Sequence, residues 1–323
     1  MPYTGEQYAK ALKILEKRRD KAELKAEIAG DEIKKKLPEI NEIQAELSKV
    51  GMEISKLFFY QGDGEKHLAE LKEKSQALVA KRSAILTMNG YSENALKPEY
   101  MCPVCEDKGF IGGRMCACHL QLLKELMRQE VSRFAPLDKC SFDNFKLDYY
   151  SAEPLPNSVV PRYRAEKVLE AARRYAQSFN KNSKNLLFLG STGLGKTHLS
   201  LAIANVVIER GYSVCYGTSQ NICEDMRAEM FGRDAGLSYT KDSVLDVDLL
   251  ILDDLGCEIE NQYNTASIYN IINSRILSGK PTIISTNYEI DELLEKYDQR
   301  ITSRITGEYT ALTLFGRDIR TIK

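Results

Sequence analysis

The chain has 323 residues, 43% of them hydrophobic, and a formal net charge of −1. At roughly 100–200 residues per domain, that length suggests two or three units and at least one sizeable core. Near-neutral charge gives no whole-chain attraction to nucleic acid or a membrane, although it leaves room for a local basic groove. No segment reaches the roughly 18 uninterrupted apolar residues of a membrane span, and Met1–Lys17 lacks the apolar centre of a signal peptide. The expectation is a cytoplasmic protein without a membrane partner.

From Tyr8 to about Ala95 the sequence holds little Gly or Pro and much Glu, Lys, Leu and Ala. Tyr8, Leu12, Leu15, Ala22, Ala26, Ala29 and Ile33 recur in steps of three and four, with Arg19 as the polar entry. This is a heptad stripe. Ile40, Ile43, Leu47, Val50, Ile54 and Leu57 repeat it after Pro38, and Leu68, Leu71, Leu78 and Ile85 after a Gly62–Asp63–Gly64 break. The pattern predicts two or three long helices folded back as a coiled-coil hairpin. The stripe can close the helices on each other, dock a partner protein, or do both.

Cys102 and Cys105 are followed by a Gly-rich turn, Gly109 to Gly113, and then by Cys116 and Cys118. In a reducing compartment such a cluster reads as metal binding rather than disulfides. Two short chelating loops suit tetrahedral Zn²⁺, and four protein ligands leave no open position, so the zinc would be structural. Cys118 is the expected fourth ligand, with His119 as the alternative. Cys140, Cys215, Cys223 and Cys257 stand alone and read as core or incidental residues.

Beyond Phe134, apolar runs alternate with helical stretches: 185–189, 213–216, 249–252 and 282–285. Runs of this kind fit parallel strands buried on both faces, with helices completing βαβ units. The run Gly190, Ser191, Thr192, Gly193, Leu194, Gly195, Lys196, Thr197 matches the G-x-x-x-x-G-K-[ST] phosphate-binding loop in full. A strand precedes it, and a helix from His198 to Arg210 follows. The glycines let successive backbone N–H groups face one anion. The helix start adds a partial positive charge of about 0.5 e. These residues and His198 are candidate nucleotide contacts, Lys196 for the β- and γ-phosphates and Thr197 for Mg²⁺.

The run Leu249-Leu-Ile-Leu ends in Asp253 and Asp254. A buried strand delivers such acids to the sheet edge where ligands bind. Asp253 is the candidate magnesium ligand and Asp254 the group that polarises the attacking water. The bland alternative is a helix cap. Asn287 closes the 282–285 run and is a candidate for the γ-phosphate or the water, or else a turn residue. Arg300 and Arg304, four apart on one helical face, are candidates to reach a neighbour's nucleotide. Arg320 is a candidate for the nucleotide of its own chain.

Taken together, these motifs resemble the AAA+ core of bacterial replicative helicase loaders of the DnaC/DnaI type, with the transposition ATPase IstB as sister group. The resemblance runs from about Phe134 to Arg320. It rests on Ser141-Phe-Asp-Asn-Phe145, the phosphate loop, Tyr216-Gly-Thr-Ser219, Leu252-Asp-Asp-Leu-Gly256, Ser285-Thr-Asn287 and the Arg300/Arg304 helix. It implies an α/β AAA+ P-loop NTPase core, a parallel sheet flanked by helices, preceded by the coiled-coil hairpin and a small zinc-binding module. The expected boundaries are 1–99 for the helical region, 100–133 for the zinc module and linker helix, and 134–323 for the ATPase domain. The resemblance further implies ATP hydrolysis and self-association into a spiral or ring. It implies a helicase hexamer bound through the N-terminal region, and single-stranded DNA contacted near Tyr216, Thr218 and Ser219. The alternative it leaves is an IstB-like helper acting on duplex DNA with a transposase.

Overall fold

The computed structural model describes residues 3–57, 64–156, 158–233 and 238–321. The chain divides into two compact units, one of residues 12–119 and one of residues 1–11 with 120–323. No described helix is long and apolar enough to cross a membrane.

The first unit is helical. It holds most of α1 (Gly5–Lys36), then α2 (Pro38–Leu57) and α3 (Gly64–Met88). Pro38 suits the first position of a helix, where its missing N–H leaves no orphan. The chain stays hydrogen-bonded around it, with the Leu37 N–H on the Ile33 carbonyl and the Ile40 N–H on that of Leu37. α2 packs against α3 as the expected hairpin. Ile40, Ile43 and Val50 are buried on one side, and Leu71 and Leu86 on the other. Ile33, Ile40 and Leu86 form one cluster, against which Tyr91 and Leu96 pack. The Gly62–Asp63 part of the expected break lies outside the described residues. Beyond α3, β1 (Phe110–Ile111) and β2 (Arg114–Met115) pair antiparallel. Gly112 and Gly113, at φ 54° and 78°, supply the left-handed turn between them.

The second unit opens on the first turns of α1. The Thr4 N–H bonds Gln7 Oε1 at 3.0 Å and the Gln7 N–H returns to Thr4 Oγ1 at 3.3 Å, a reciprocal cap. Gln7 also donates to Glu130 of α4 (Ala117–Ser132) at 2.8 Å. There follow α5 (Pro161–Ser178), β3 (Asn185–Leu189), α6 (Lys196–Glu209), β4 (Val214–Thr218), α7 (Ser219–Met230) and α8 (Lys241–Asp246). The chain continues through β5 (Leu249–Leu255), α9 (Gln262–Leu277), β6 (Thr282–Thr286), α10 (Ile290–Lys296), α11 (Gln299–Glu308) and β7 (Tyr309–Thr313). The five strands β3 to β7 form one parallel sheet in the order β4-β5-β6-β3-β7. Leu250, Leu252, Ile268, Ile272 and Ile284 are fully buried in its core.

The four expected strands are present, and β4 and β5 run further than the apolar runs suggested, to Thr218 and Leu255. The helix after the phosphate loop begins at Lys196 rather than His198. β7 is an additional strand. It lies at the edge beside β3, with Thr310 and Ala311 exposed, so its residues carry no continuous apolar run.

Candidate nucleotide site

The order of strands assembles the site. β6 lies between the phosphate-loop strand β3 and the acidic strand β5, so the C-terminal ends of all three open on one edge. Gly193 and Gly195 take φ 77° and 85°. A Cβ on Gly193 would fall 1.8 Å from Asp318 Oδ1, and one on Gly195 would fall 2.9 Å from Phe145 Cε2. Backbone conformation and space therefore both demand glycine.

Lys196 is 5% exposed, and its Nζ donates to the carbonyls of Gly190 at 2.6 Å and Ser191 at 2.9 Å and to Asn287 Oδ1 at 2.7 Å. Burial pulls its pKa below the ordinary lysine value, against the opposing pull of Asp254 and Asp253. One ammonium group thus joins the loop to the end of β6. Thr197 Oγ1 donates to Asp253 Oδ2 at 2.9 Å. Two hard oxygens meet there, the donor chemistry that suits Mg²⁺. Tyr216 donates to the same carboxylate oxygen at 2.7 Å, and Ser285 Oγ bonds the other one.

Adjacent strand residues normally face opposite sides of a sheet. Asp253 and Asp254 escape this rule because the β5–β6 register shifts between Leu252 and Leu255. Such an irregularity re-aims side chains. Asp254 takes a left-handed φ of 54°, its N–H donating to Ser285 Oγ at 3.1 Å. Asn287 Nδ2 lies 3.5 Å from Asp254 Oδ1. Burial, and then the charge of Asp253, raise the pKa of Asp254, while Lys196 and Arg320 pull it down. A base must be deprotonated to polarise water. Hydrolysis is therefore expected to fall on acidification at a pH above the usual carboxylate range of about 4. An acid limb at or below that range in a kcat–pH profile would take Asp254 out of the role.

The remaining candidates divide. The positive charge of Arg320 lowers the pKa of both Lys196 and Asp254, and its backbone N–H bonds Asp318 at 2.9 Å. The His198 ring is held by the entry segment, with Nε2 2.8 Å from the Ser141 carbonyl oxygen. Arg300 is 73% exposed and paired with Asp298 at 2.7 Å, while Arg304 donates to Asn273 at 2.7 Å. Both lie over the Tyr269 ring, at 5.3 and 4.9 Å from its centre. The expected DNA contacts need correction. Tyr216 is 6% exposed and bound to Asp253, so no free ring face is offered to a base. Thr218 caps α7, and Ser219 is buried.

Several residues at this edge carried no motif. The Tyr150 hydroxyl donates to the Leu194 carbonyl at 2.6 Å, and the Ile319 N–H donates to that of Gly193 at 3.2 Å. The loop is thus held by residues from both ends of the domain.

In the first unit, the Sγ atoms of Cys102, Cys105, Cys116 and Cys118 lie within 4.8 Å of one another. Cys102–Cys116 and Cys105–Cys118 are 3.8 and 3.3 Å apart. A tetrahedral ion with bonds of about 2.3 Å separates its sulfurs by about 3.8 Å. The donor set and spacing therefore fit zinc. Backbone amides of Cys105 and Val104 lower the Cys102 thiol to about 7. His119 lies outside the sulfur cluster, packed edge-on against Phe110 at 5.1 Å.

Fold and site together define a P-loop nucleotide-binding protein of the AAA+ class. A family model described as IstB-like ATP binding protein matches residues 165–305. The replicative helicase loader DnaC of Escherichia coli is 30% identical over 181 residues, covering 55% of this chain and 68% of the relative. The chain belongs to the DnaC family. The DnaC of Buchnera aphidicola from Acyrthosiphon pisum is 29% identical over 170 residues, covering 51% of this chain and 63% of the relative, so the chain spans less than two thirds of that protein. A crystal structure titled as the DnaC helicase loader is 28% identical, covers 54% of this chain and 98% of that one, and superposes at a TM-score of 0.44.

Proposed function

We propose that the chain is an ATP hydrolase that loads the replicative DNA helicase onto single-stranded DNA. One observation carries the chemistry: Lys196 is bonded to both the phosphate loop and Asn287, while Asp253 meets Thr197 and Asp254 stands beside Asn287. The backbone amides from Gly193 to Thr197 and the Lys196 ammonium bind the triphosphate. Thr197 and Asp253 would hold Mg²⁺, which neutralises charge on the β- and γ-phosphates. Asp254, oriented with Asn287, accepts the proton of the attacking water, and Arg320 adds positive charge from the chain's own C-terminal segment.

Cys102, Cys105, Cys116 and Cys118 hold a structural zinc. Residues 1–99 and 100–133 serve as the helicase-binding part, and 134–323 as the ATPase. Arg300 and Arg304 complete a neighbour's site in a spiral. An arginine in trans is worth about 10³–10⁵ in rate where measured in GTPases. Mixing Arg300→Ala or Arg304→Ala protein with Lys196→Ala protein is expected to restore hydrolysis, because each partner supplies what the other lacks. Mixtures no more active than their components would place both arginines in a structural role.

The loading reading is tested with the full chain, helicase hexamer and labelled single strands. Helicase retention on the strand is expected to need ATP. Binding of the chain itself to the strand is expected to weaken steeply as salt rises, through counterion release. Failure to capture the helicase, with ATP-dependent binding to duplex instead, would move the function to the transposition reading.

A further inference from the structure

Glu258 lies at the catalytic edge, just past β5, and takes no part in the chemistry above. It is 5% exposed. Lys296, whose pKa its charge helps raise, pairs instead with Glu260 at 2.7 Å. Burying a carboxylate without a cation is costly unless hydrogen bonds satisfy it. Here three donors do so, each from a different segment. The Gly256 N–H donates to Oε2 at 3.0 Å, Ser219 Oγ to the same oxygen at 2.6 Å, and the Tyr297 hydroxyl to Oε1.

These bonds surround Asp254. Gly256 is two residues beyond it. Ser219 Oγ also lies 3.1 Å from the Asp254 carbonyl oxygen, and the Cys257 N–H donates to that oxygen at 3.1 Å. Asp254 is held at φ 54°, a left-handed conformation that aspartate tolerates better than most side chains but that its neighbours must still fix. It persists only where neighbours over-determine it. Tyr297 immediately precedes Asp298, the cap of the arginine-bearing helix α11.

We propose that Glu258 is a positioning residue that holds the turn after β5 and so keeps Asp254 in its left-handed, water-facing conformation. This rests on the ATPase reading. Removing Glu258 leaves the phosphate loop, Thr197 and Asp253 untouched, so nucleotide affinity stays while the chemical step slows.

The test is phosphate release against ATP concentration for the full chain, alongside titration with a fluorescent ATP analogue. Glu258→Ala is expected to lower kcat about 10- to 100-fold, the scale of a small misplacement of a reacting group, with analogue affinity unchanged. Glu258→Gln keeps an acceptor for Gly256 and Ser219 and is expected to recover most of the rate. Tyr297→Phe removes one donor without opening a cavity, covers the case in which the alanine variant does not fold, and is expected to lower kcat by less. An unchanged kcat in the alanine variant, a Gln variant no better than Ala, or analogue affinity lost in parallel with kcat would each overturn the proposal. A wild-type protein that releases no phosphate would instead sink the ATPase reading, and this proposal with it.

Discussion

Lys196→Ala is expected to reduce phosphate release by about 10²–10³-fold or more, the cost of removing one preorganised donor to developing charge. Three bonds fix the ammonium on the Gly190 and Ser191 carbonyls and on Asn287. The three bonds use all three ammonium hydrogens, so one is exchanged for a phosphate oxygen when nucleotide binds, and burial keeps the charge from being screened. Loss of the lysine also leaves the Asn287 amide oxygen without its donor, so Asn287→Ala is expected to act in the same direction but less strongly. The double variant is expected to lose less than the sum, since both belong to one network. A malachite-green assay on the full chain decides the matter, and equal release from wild type and Lys196→Ala would end the ATPase assignment.

Metal removal has the second large effect. A tetrathiolate zinc in a small module is worth about 10–16 kcal/mol in apparent binding energy at neutral pH. The segment around it has little apolar core: β1 and β2 are two residues each, Phe110, Ile111 and Met115 are all exposed, and the buried Asp107 carboxylate, accepting from the Met101 and Cys102 N–H groups, is a polar tie. One zinc per chain is expected by elemental analysis. Stripping it with a chelator, or replacing Cys105 by Ser, is expected to open residues 100–119 to proteolysis. ATP hydrolysis should largely survive, because no ligand belongs to the nucleotide edge. A metal-free protein as protease-resistant in this segment as the untreated one would show that the sulfurs hold no structural ion.

The phosphate loop was legible because its chemistry needs glycine at fixed spacing, and the acidic strand because four apolar residues end abruptly in two carboxylates. The coiled-coil hairpin follows from the three-and-four period together with the breaks at Pro38 and Gly62–Asp63–Gly64. What lay beyond reading is mostly geometry set by distant partners. Nothing local tells that Asp254 turns left-handed, since aspartate is compatible with either conformation. Tyr216 lies where the resemblance implies a DNA contact. Its hydroxyl faces Asp253 only because β4 pairs with β5 in a register that sets Thr218 beside Asp253. Tyr150, Glu258 and Asp318 belong to no spacing rule. Each gains its place by contact with residues 44, 39 and 125 positions away in the case of Leu194, Ser219 and Gly193 respectively. β7 offers no apolar run or alternation to read: of Tyr309–Thr313 only Tyr309 is buried, and Thr310 and Ala311 are exposed.

The hook of Ile319 on Gly193 has a practical side. A purification tag or fluorescent fusion attached after Lys323 would be leashed within a few residues of the phosphate loop, and its bulk or charge would be felt there directly. Met52 and Val79, exposed on the helical hairpin, are alternative label positions far from the phosphate loop in sequence.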